Sequence, residues 1–284
     1  MTGLTGAEAA GSEAASEAAA KWNLTAADDA DLERRFGGLK RLYGPEGYER
    51  LRRASVAVVG LGGVGSWAAE ALARSGVATL VLIDLDQVSE SNINRQVQAL
   101  TATLGQAKVD ALRLRIKDIH PGCVVHGVEA FVEPDNWPAL LPLPVDVLVD
   151  ACDQVRAKLL LAAWGLATRT PVVCVGAAGG KQQPQRVEVA GLSAVTHDPL
   201  LASLRQRLRK QRAGSGADAL AGLQCVFSRE PVAPPALSCQ VDGAPDGAGD
   251  GSLNCHGYGS SVTVTATFGM VAAAQAIHCI VHGV

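Results

Sequence analysis

Residues 56–65 read Val-Ala-Val-Val-Gly-Leu-Gly-Gly-Val-Gly, and no other stretch limits the possible folds of this chain so tightly. A short β-branched run ends at Gly60, and Gly62, Gly63 and Gly65 follow. Residues 66–74, rich in Ala, Leu and Glu, then read as a helix. Strand, glycine turn and helix in that order give a glycine fingerprint mechanical meaning. Gly60 permits the tight turn, Gly62 lets a phosphate approach the backbone, and Gly65 lets the helix pack closely on the strand. Gly63 lies outside that pattern and adds bare backbone. The unpaired amides and positive dipole end of the helix make an anion site. The loop indicates a nucleotide well before it indicates a reaction, and on this feature alone a dehydrogenase fits as well as any other enzyme.

The rest of the chain alternates in the same way. Strands are expected over residues 55–60, 78–84, 123–128, 145–151 and 171–177, with a further one at 186–190. Helices are expected over 104–119, 154–168 and 199–212, and over 28–53 in two pieces broken at Gly37-Gly38 and Gly44-Pro45. Apolar runs such as Ala-Thr-Leu-Val-Leu-Ile-Asp suit strands buried on both faces. Strands alternating with helices imply an α/β, Rossmann-like, doubly wound and mostly parallel sheet. Apolar residues at 48% and charged residues at 19% supply a sizeable core. Residues 1–30 are Ala/Glu/Ser-rich and read as a disordered extension. Residues 31–284 read as one domain, with a nucleotide-binding core over about 54–180 and a C-terminal part over about 181–284. Two Gly/Ala/Pro/Asp-rich stretches, 213–222 and 232–252, read as flexible.

Charge and cysteine usage narrow the class. A net charge of −3 rules out an overall basic field for nucleic acid, so any such contact must be a local patch. Residues 200–212 offer one, with Arg205, Arg207, Arg209, Lys210 and Arg212 and no acid; a solvated helix face is the alternative. Seven scattered cysteines form no CxxC pair, which argues against a four-cysteine zinc site and for a reducing compartment. The first 30 residues lack the pattern of a signal peptide, so a cytoplasmic location is expected. Residues 260–284 contain no Asp, Glu, Lys or Arg. A buried core helix is the preferred reading there, with peripheral or C-terminal membrane association as the other.

Ligands of an open α/β sheet bind outside the carboxyl ends of its strands. Asp84 closes the second strand about twenty residues after the glycine loop, where a carboxylate accepts bonds from ribose hydroxyls. The run 84–96, Asp-Leu-Asp-Gln-Val-Ser-Glu-Ser-Asn-Ile-Asn-Arg-Gln, adds Asp86, Asn92, Asn94 and Arg95. Lys108 follows in Gly-Gln-Ala-Lys. Arg95 and Lys108 can neutralise charge that develops on a triphosphate during attack. Asp150 and Asp153 close the fourth strand, where a carboxylate can hold Mg²⁺ between phosphate oxygens. Taken singly, each is as readily a solvated loop charge; their convergence on strand ends favours a site.

In order and spacing, Gly-Leu-Gly-Gly-Val-Gly-Ser (60–66), the run 84–96, Gly-Gln-Ala-Lys (105–108) and Asp-Ala-Cys-Asp (150–153) resemble the E1-like (ThiF-type) adenylating superfamily. The resemblance implies ATP and Mg²⁺ as cofactors. It places Asp84 on the ribose, Asn92, Arg95 and Lys108 on the phosphates, and Asp153 on Mg²⁺. The implied reaction is attack of a carboxylate on the α-phosphate, giving an acyl-adenylate and pyrophosphate. Further runs resemble the subfamily of tRNA threonylcarbamoyladenosine dehydratases. They are Arg-Phe-Gly-Gly-Leu-Lys-Arg-Leu-Tyr-Gly (35–44), Gly-Ser-Trp-Ala-Ala-Glu-Ala-Leu-Ala-Arg (65–74), Asp-Pro-Leu-Leu-Ala-Ser-Leu-Arg-Gln-Arg-Leu (198–208), Cys-Val-Phe-Ser (225–228) and Val-Thr-Ala-Thr-Phe-Gly (264–269). That resemblance implies a tRNA partner whose modified adenosine, at position 37 beside the anticodon, is adenylated on its threonyl carboxylate. The carbamoyl nitrogen or oxygen then closes a ring and expels AMP, with net loss of water.

The same resemblance implies a homodimer and no zinc. An alkali cation (K⁺ or Na⁺) and a sulfur-relay protein of the cysteine-desulfurase type are compatible with it. The arginine that many members lend to the partner subunit's site falls on Gly38 here, leaving Arg35 and Arg41 as candidates. Cys225 stands where relatives can carry a thioester-forming cysteine; ring closure needs none, so it is read as non-essential. Three rivals are weighed against this reading. One is an E1-like activator of a ubiquitin-like or sulfur-carrier protein, using Cys225. A dehydrogenase rests on the glycine fingerprint alone, and a non-catalytic tRNA-binding module on the basic helix alone.

Overall fold

The apolar runs become strands where expected, most of them a residue or two shorter than the hydrophobic stretch. They are β1 (Ser55–Val59), β2 (Thr79–Ile83), β3 (Val124–Val128), β4 (Val147–Asp150), β5 (Val172–Val175) and β6 (Val187–Gly191). A strand that alternation did not reveal, β7 (Leu223–Ser228), follows. This computed structural model describes residues 31–211, 220, 222–233 and 258–284. The expected extension at 1–30, Arg212 and most of the two flexible stretches lie outside those residues.

All seven strands form one sheet in the order β3-β2-β1-β4-β5-β7-β6, parallel throughout except for the β6/β7 pair. This is the doubly wound α/β architecture that the alternation implies. The order places β1 beside β4 as well as β2, so the chain reverses direction across the sheet at β1. Side chains alternate along β1: Val56 and Val58 join one core and Ala57 and Val59 the other.

The helices are α1 (Leu32–Phe36), α2 (Gly38–Leu51), α3 (Gly65–Arg74), α4 (Lys108–Ile119), α5 (Val155–Thr168), α6 (Pro199–Gln211) and α7 (Val262–His282). Gly44 kinks α2 just before Pro45, with φ at +73°, as the Gly-Pro pair predicts. Leu72 of α3, Leu112 and Ile116 of α4 and Phe268 of α7 pack on one face of the sheet. Leu161 of α5 and Leu201 and Leu204 of α6 pack on the other. One boundary differs from expectation. Residues 104–107 are not helical; Gly105 has φ +80° and Ala107 bridges to Gln87, so Lys108 is the first residue of α4.

The apolar C-terminal run forms α7, which is long and apolar enough to cross a membrane by length and composition; 61% of its apolar window is buried. It crosses α3 where Gly269 meets Val64 and Trp67, so closely that a Cβ at that position would lie 2.8 Å from the Trp67 side chain. Arg50 of α2 donates to the Val281 carbonyl at 2.8 Å and ties down the other end. The core-helix reading accounts for these contacts.

A buried histidine sits at the amino edge of the sheet. His120 has no exposed surface, lies edge-on to Phe36 at 4.7 Å, and approaches Arg52 Nη1 at 3.0 Å through Nε2. Burial, reinforced by the Arg52 guanidinium, depresses its pKa to about 4. The unfolded chain therefore takes up a proton near pH 6.5 that the native state refuses until about pH 4. Stability should be full above about pH 6.5 and fall through that window, by roughly 2–3 kcal/mol. Denaturant melts at pH 7 and pH 5 measure this, and His120→Gln should flatten the difference.

Candidate nucleotide site at the carboxyl edge of the sheet

An open cleft lies over the carboxyl ends of β1, β2, β4 and β5, where the strand order reverses. The glycine loop forms its floor. Gly60 has φ +85°, and a Cβ there would lie 2.9 Å from the backbone of Ala151 and Cys152. At Gly65 a Cβ would collide with the Gly60 carbonyl, so this glycine is what lets α3 start directly against the strand end. Gly62 differs: a Cβ there would meet no protein atom within 4 Å. Internal packing does not require that glycine, which leaves approach of a ligand as the reason for bare backbone. Gly63 is spoken for from within, since its Cβ would press on Thr265 of α7 at 3.1 Å. Gly63 also lines the cleft, so this packing is a reason for glycine there in addition to the one expected from the sequence. The first turn of α3 has no side-chain cap, so its amides are unclaimed by such a group.

Asp84, at the end of β2, is buried and accepts from the backbone amides of Leu61 at 2.6 Å and Asp86 at 2.8 Å. It thereby clips the glycine loop to the strand. Burial raises its pKa against the pull of Lys108 and of those two amides. Lys108, also buried, holds Asp86 at 2.6 Å and Asp84 at 3.8 Å. Its ammonium thus stands at the cleft wall among carboxylates, available for exchange to a more highly charged anion. Arg95 lines the cleft with its guanidinium on the Ser91 carbonyl (2.5 Å) and Asn94 Oδ1 (2.9 Å). Its own carbonyl accepts from Trp67 Nε1 of α3 at 3.0 Å. Asp153 lines the cleft from the β4–α5 turn.

Several expected residues have other duties. Asn92 is buried and accepts from the Ser89 amide at 3.1 Å, capping a short 3₁₀ turn rather than lining the cleft. Asn94 donates to the Ser260 carbonyl at 2.9 Å and so ties the 84–96 loop to the start of α7. Asp150 is fully buried beneath the cleft, paired with Lys158 at 3.0 Å; it does not face a nucleotide. Arg35 donates to the carbonyls of Asp118 and Ile119 at the far, amino edge of the sheet. Arg41 is exposed on α2 beside Gly38. In α6, Arg205 caps the Leu192 and Val195 carbonyls, leaving Arg207, Arg209 and Lys210 as the exposed basic face. This helix starts at the cleft rim, which Leu200 lines.

Cys225 is fully buried in β7, register-paired with Cys174 of β5. A thioester needs a thiolate that a partner can reach, so this position is excluded from that role. Cys225→Ala should leave turnover unchanged while lowering stability by about 1 kcal/mol, the scale of a small buried deletion; activity assays and thermal melts of the same preparation check both.

Sequence reasoning missed the wall opposite the glycine loop. Ser260 and Thr265, at the start of α7, line the cleft nearly 200 residues after the loop they face. It also missed Asp198, which caps α6 through the Leu201 amide (2.9 Å) and accepts from Ala177 (2.8 Å) beside the cleft. Its position just before Pro199 was the available signal. Lys158 gave no signal at all.

The geometry agrees with comparison to known proteins. The tRNA threonylcarbamoyladenosine dehydratase of Escherichia coli K12 is 40% identical over 250 residues, covering 86% of this chain and 92% of that protein. The enzyme of the same name from Haemophilus influenzae is 39% identical over 249 residues, covering 87% and 93%. The crystal structure of the E. coli dehydratase, TcdA, in complex with ATP superposes with a TM-score of 0.78 at 38% identity, covering 89% of this chain and 97% of that one. The ThiF family itself matches residues 34–283, from the first helices through the cleft to the end of α7, and the chain belongs to that family.

Proposed function

We propose that this protein is an ATP-dependent tRNA threonylcarbamoyladenosine dehydratase. One observation carries the reading: Lys108, Arg95 and Asp153 meet in a single cleft with an uncapped helix start and an open Gly62 backbone. That set suits a triphosphate and the charge that develops when its α-phosphorus is attacked. The E. coli relative was crystallised with ATP and with AMP, which supports a nucleotide here. Among the described residues no group of three His, Cys, Asp or Glu forms a metal cage. This suits Mg²⁺, which is commonly held by one or two carboxylates and by substrate phosphates. Asp153 would hold it, and the ion would offset phosphate charge.

In this reading Asp84 receives the ribose, while the loop amides and the start of α3 receive phosphate oxygens. The threonyl carboxylate of the modified adenosine attacks the α-phosphorus; an O–P bond forms, pyrophosphate leaves, and an acyl-adenylate results. The carbamoyl nitrogen or oxygen then attacks the acyl carbon, the bond to AMP breaks, and one proton is released as the ring closes. Arg95 and Lys108 stabilise the charge on the leaving pyrophosphate. The exposed basic face of α6 contacts tRNA phosphates beside the cleft. Burial of Cys225 weighs against the alternative of a carrier-protein activator that uses this thiol. A homodimer belongs to the same proposal, and light scattering checks it.

The test is mass spectrometry of nucleosides from threonylcarbamoyl-modified tRNA after incubation with ATP. The expected product has lost one water. An unchanged nucleoside, with ATP–pyrophosphate exchange that depends instead on a carrier protein, would sink the proposal.

A further inference from the structure

A charged residue that never reaches the cleft lies beneath its floor. Lys158, one turn into α5, has no exposed surface. Its Nζ donates to the Asp150 carbonyl at 3.2 Å and pairs with Asp150 Oδ1 at 3.0 Å. The same Oδ1 accepts from the Cys152 amide at 3.3 Å and from the Cys152 thiol at 2.8 Å. Asp150 ends β4, residues 151–154 line the cleft, and α5 starts at Val155. One ammonium therefore fastens the strand end to the helix that follows, and its carboxylate partner holds the turn between them. Burial pulls the Lys158 pKa down, but the Asp150 carboxylate beside it outweighs burial and keeps the group charged. Burial and Asp150 push the Cys152 thiol pKa up, so that group stays protonated and donates. On its other side the turn is pressed against Gly60, where there is no room even for a methyl group.

We infer that Lys158 is a positioning residue, whose buried pair with Asp150 fixes the 150–154 turn and so sets Asp153 to hold a divalent cation against bound ATP. The inference rests on the nucleotide reading proposed above. It explains why a chain would keep a fully buried lysine directly under a cleft that it does not touch. Removing Lys158 alone strands a buried carboxylate. The double variant Asp150→Asn/Lys158→Met removes both charges and is therefore the informative one, with Lys158→Arg as the conservative control.

The experiment uses the full chain without tRNA. ATP affinity is measured by equilibrium dialysis in EDTA, and Mn²⁺ affinity of the ATP complex by electron paramagnetic resonance. In the double variant, ATP affinity in EDTA should stay near that of the native protein. Mn²⁺ affinity should fall about 10–100-fold, the scale for loss of a group that orients a metal ligand. Lys158→Arg should recover part of it. Native Mn²⁺ affinity in the folded double variant overturns the inference. So does an equal fall in ATP affinity with and without the metal, which would mark general damage to the cleft. A native protein that binds no ATP overturns the nucleotide reading and this inference together. Failure of ring closure on tRNA leaves the result untouched.

Discussion

Replacing Lys108 by Ala should lower turnover by about 10²-fold or more while the fold persists, the scale of removing one donor to a transition-state charge. The geometry gives the reason. Its ammonium is buried at the first residue of α4, held 2.6 Å from Asp86 and 3.8 Å from Asp84 at the cleft wall. Without it those two carboxylates would face an incoming triphosphate with no cation between them, so ATP binding should weaken as well. Lys108→Arg keeps the charge but replaces a point donor by a planar fork, and partial activity is the expected result. Arg95→Ala should cost a similar factor. Single-turnover rates with saturating ATP separate the chemical step from binding. Near-native rates in both alanine variants would show that the cleft does its chemistry elsewhere.

Gly65→Ala should act on a different link of the chain from sequence to function. Its methyl group would collide with the Gly60 carbonyl and lie 3.1 Å from the Ala151 Cβ; a backbone carbonyl and a Cβ have no rotamer by which to swing aside. Overpacking of this kind costs about 1–3 kcal/mol, and here it must also push α3 away from the strand end, so ATP binding should be lost. Gly62→Ala is the matched control, because its methyl would meet no protein atom within 4 Å. That variant should melt with the native protein and still bind ATP poorly. Thermal melts and dialysis on the pair distinguish a packing glycine from a ligand glycine. Equal behaviour of the two would refute the distinction.

The strands of the nucleotide core were legible because most are short apolar runs closed at the carboxyl edge by glycines, as after β1 and β5, or by acids, as after β2 and β4. Asp84 and Asp153 were legible as charges at or just past the ends of such runs, and Lys108 as the cation that closes Gly-Gln-Ala-Lys before a helix. Asp150 was misjudged by that very rule: it too ends a strand, but its side chain turns under the sheet toward Lys158, and a strand's period of two assigns a face only once neighbours are known. Asn92 was expected on phosphates and Asn94 in the same nucleotide site; the first serves a local turn and the second the start of α7, a choice that depends on distant backbone. β7 escaped notice because it joins the sheet out of sequence order, between β5 and β6. Cys225 could not be judged without it.

The seam between the glycine loop and α7 bears on how the protein is made. Thr265 packs on Gly63, Asn94 reaches Ser260, and Gly269 meets α3, so the nucleotide floor is finished by a helix synthesised long after it. During translation the first five strands can emerge and begin to pair while their binding cleft still lacks a wall. A nascent chain halted before residue 260 should therefore show secondary structure but no grip on ATP. The order in which the ribosome delivers the parts thus decides when the cleft gains its last wall: only once the start of α7 has emerged.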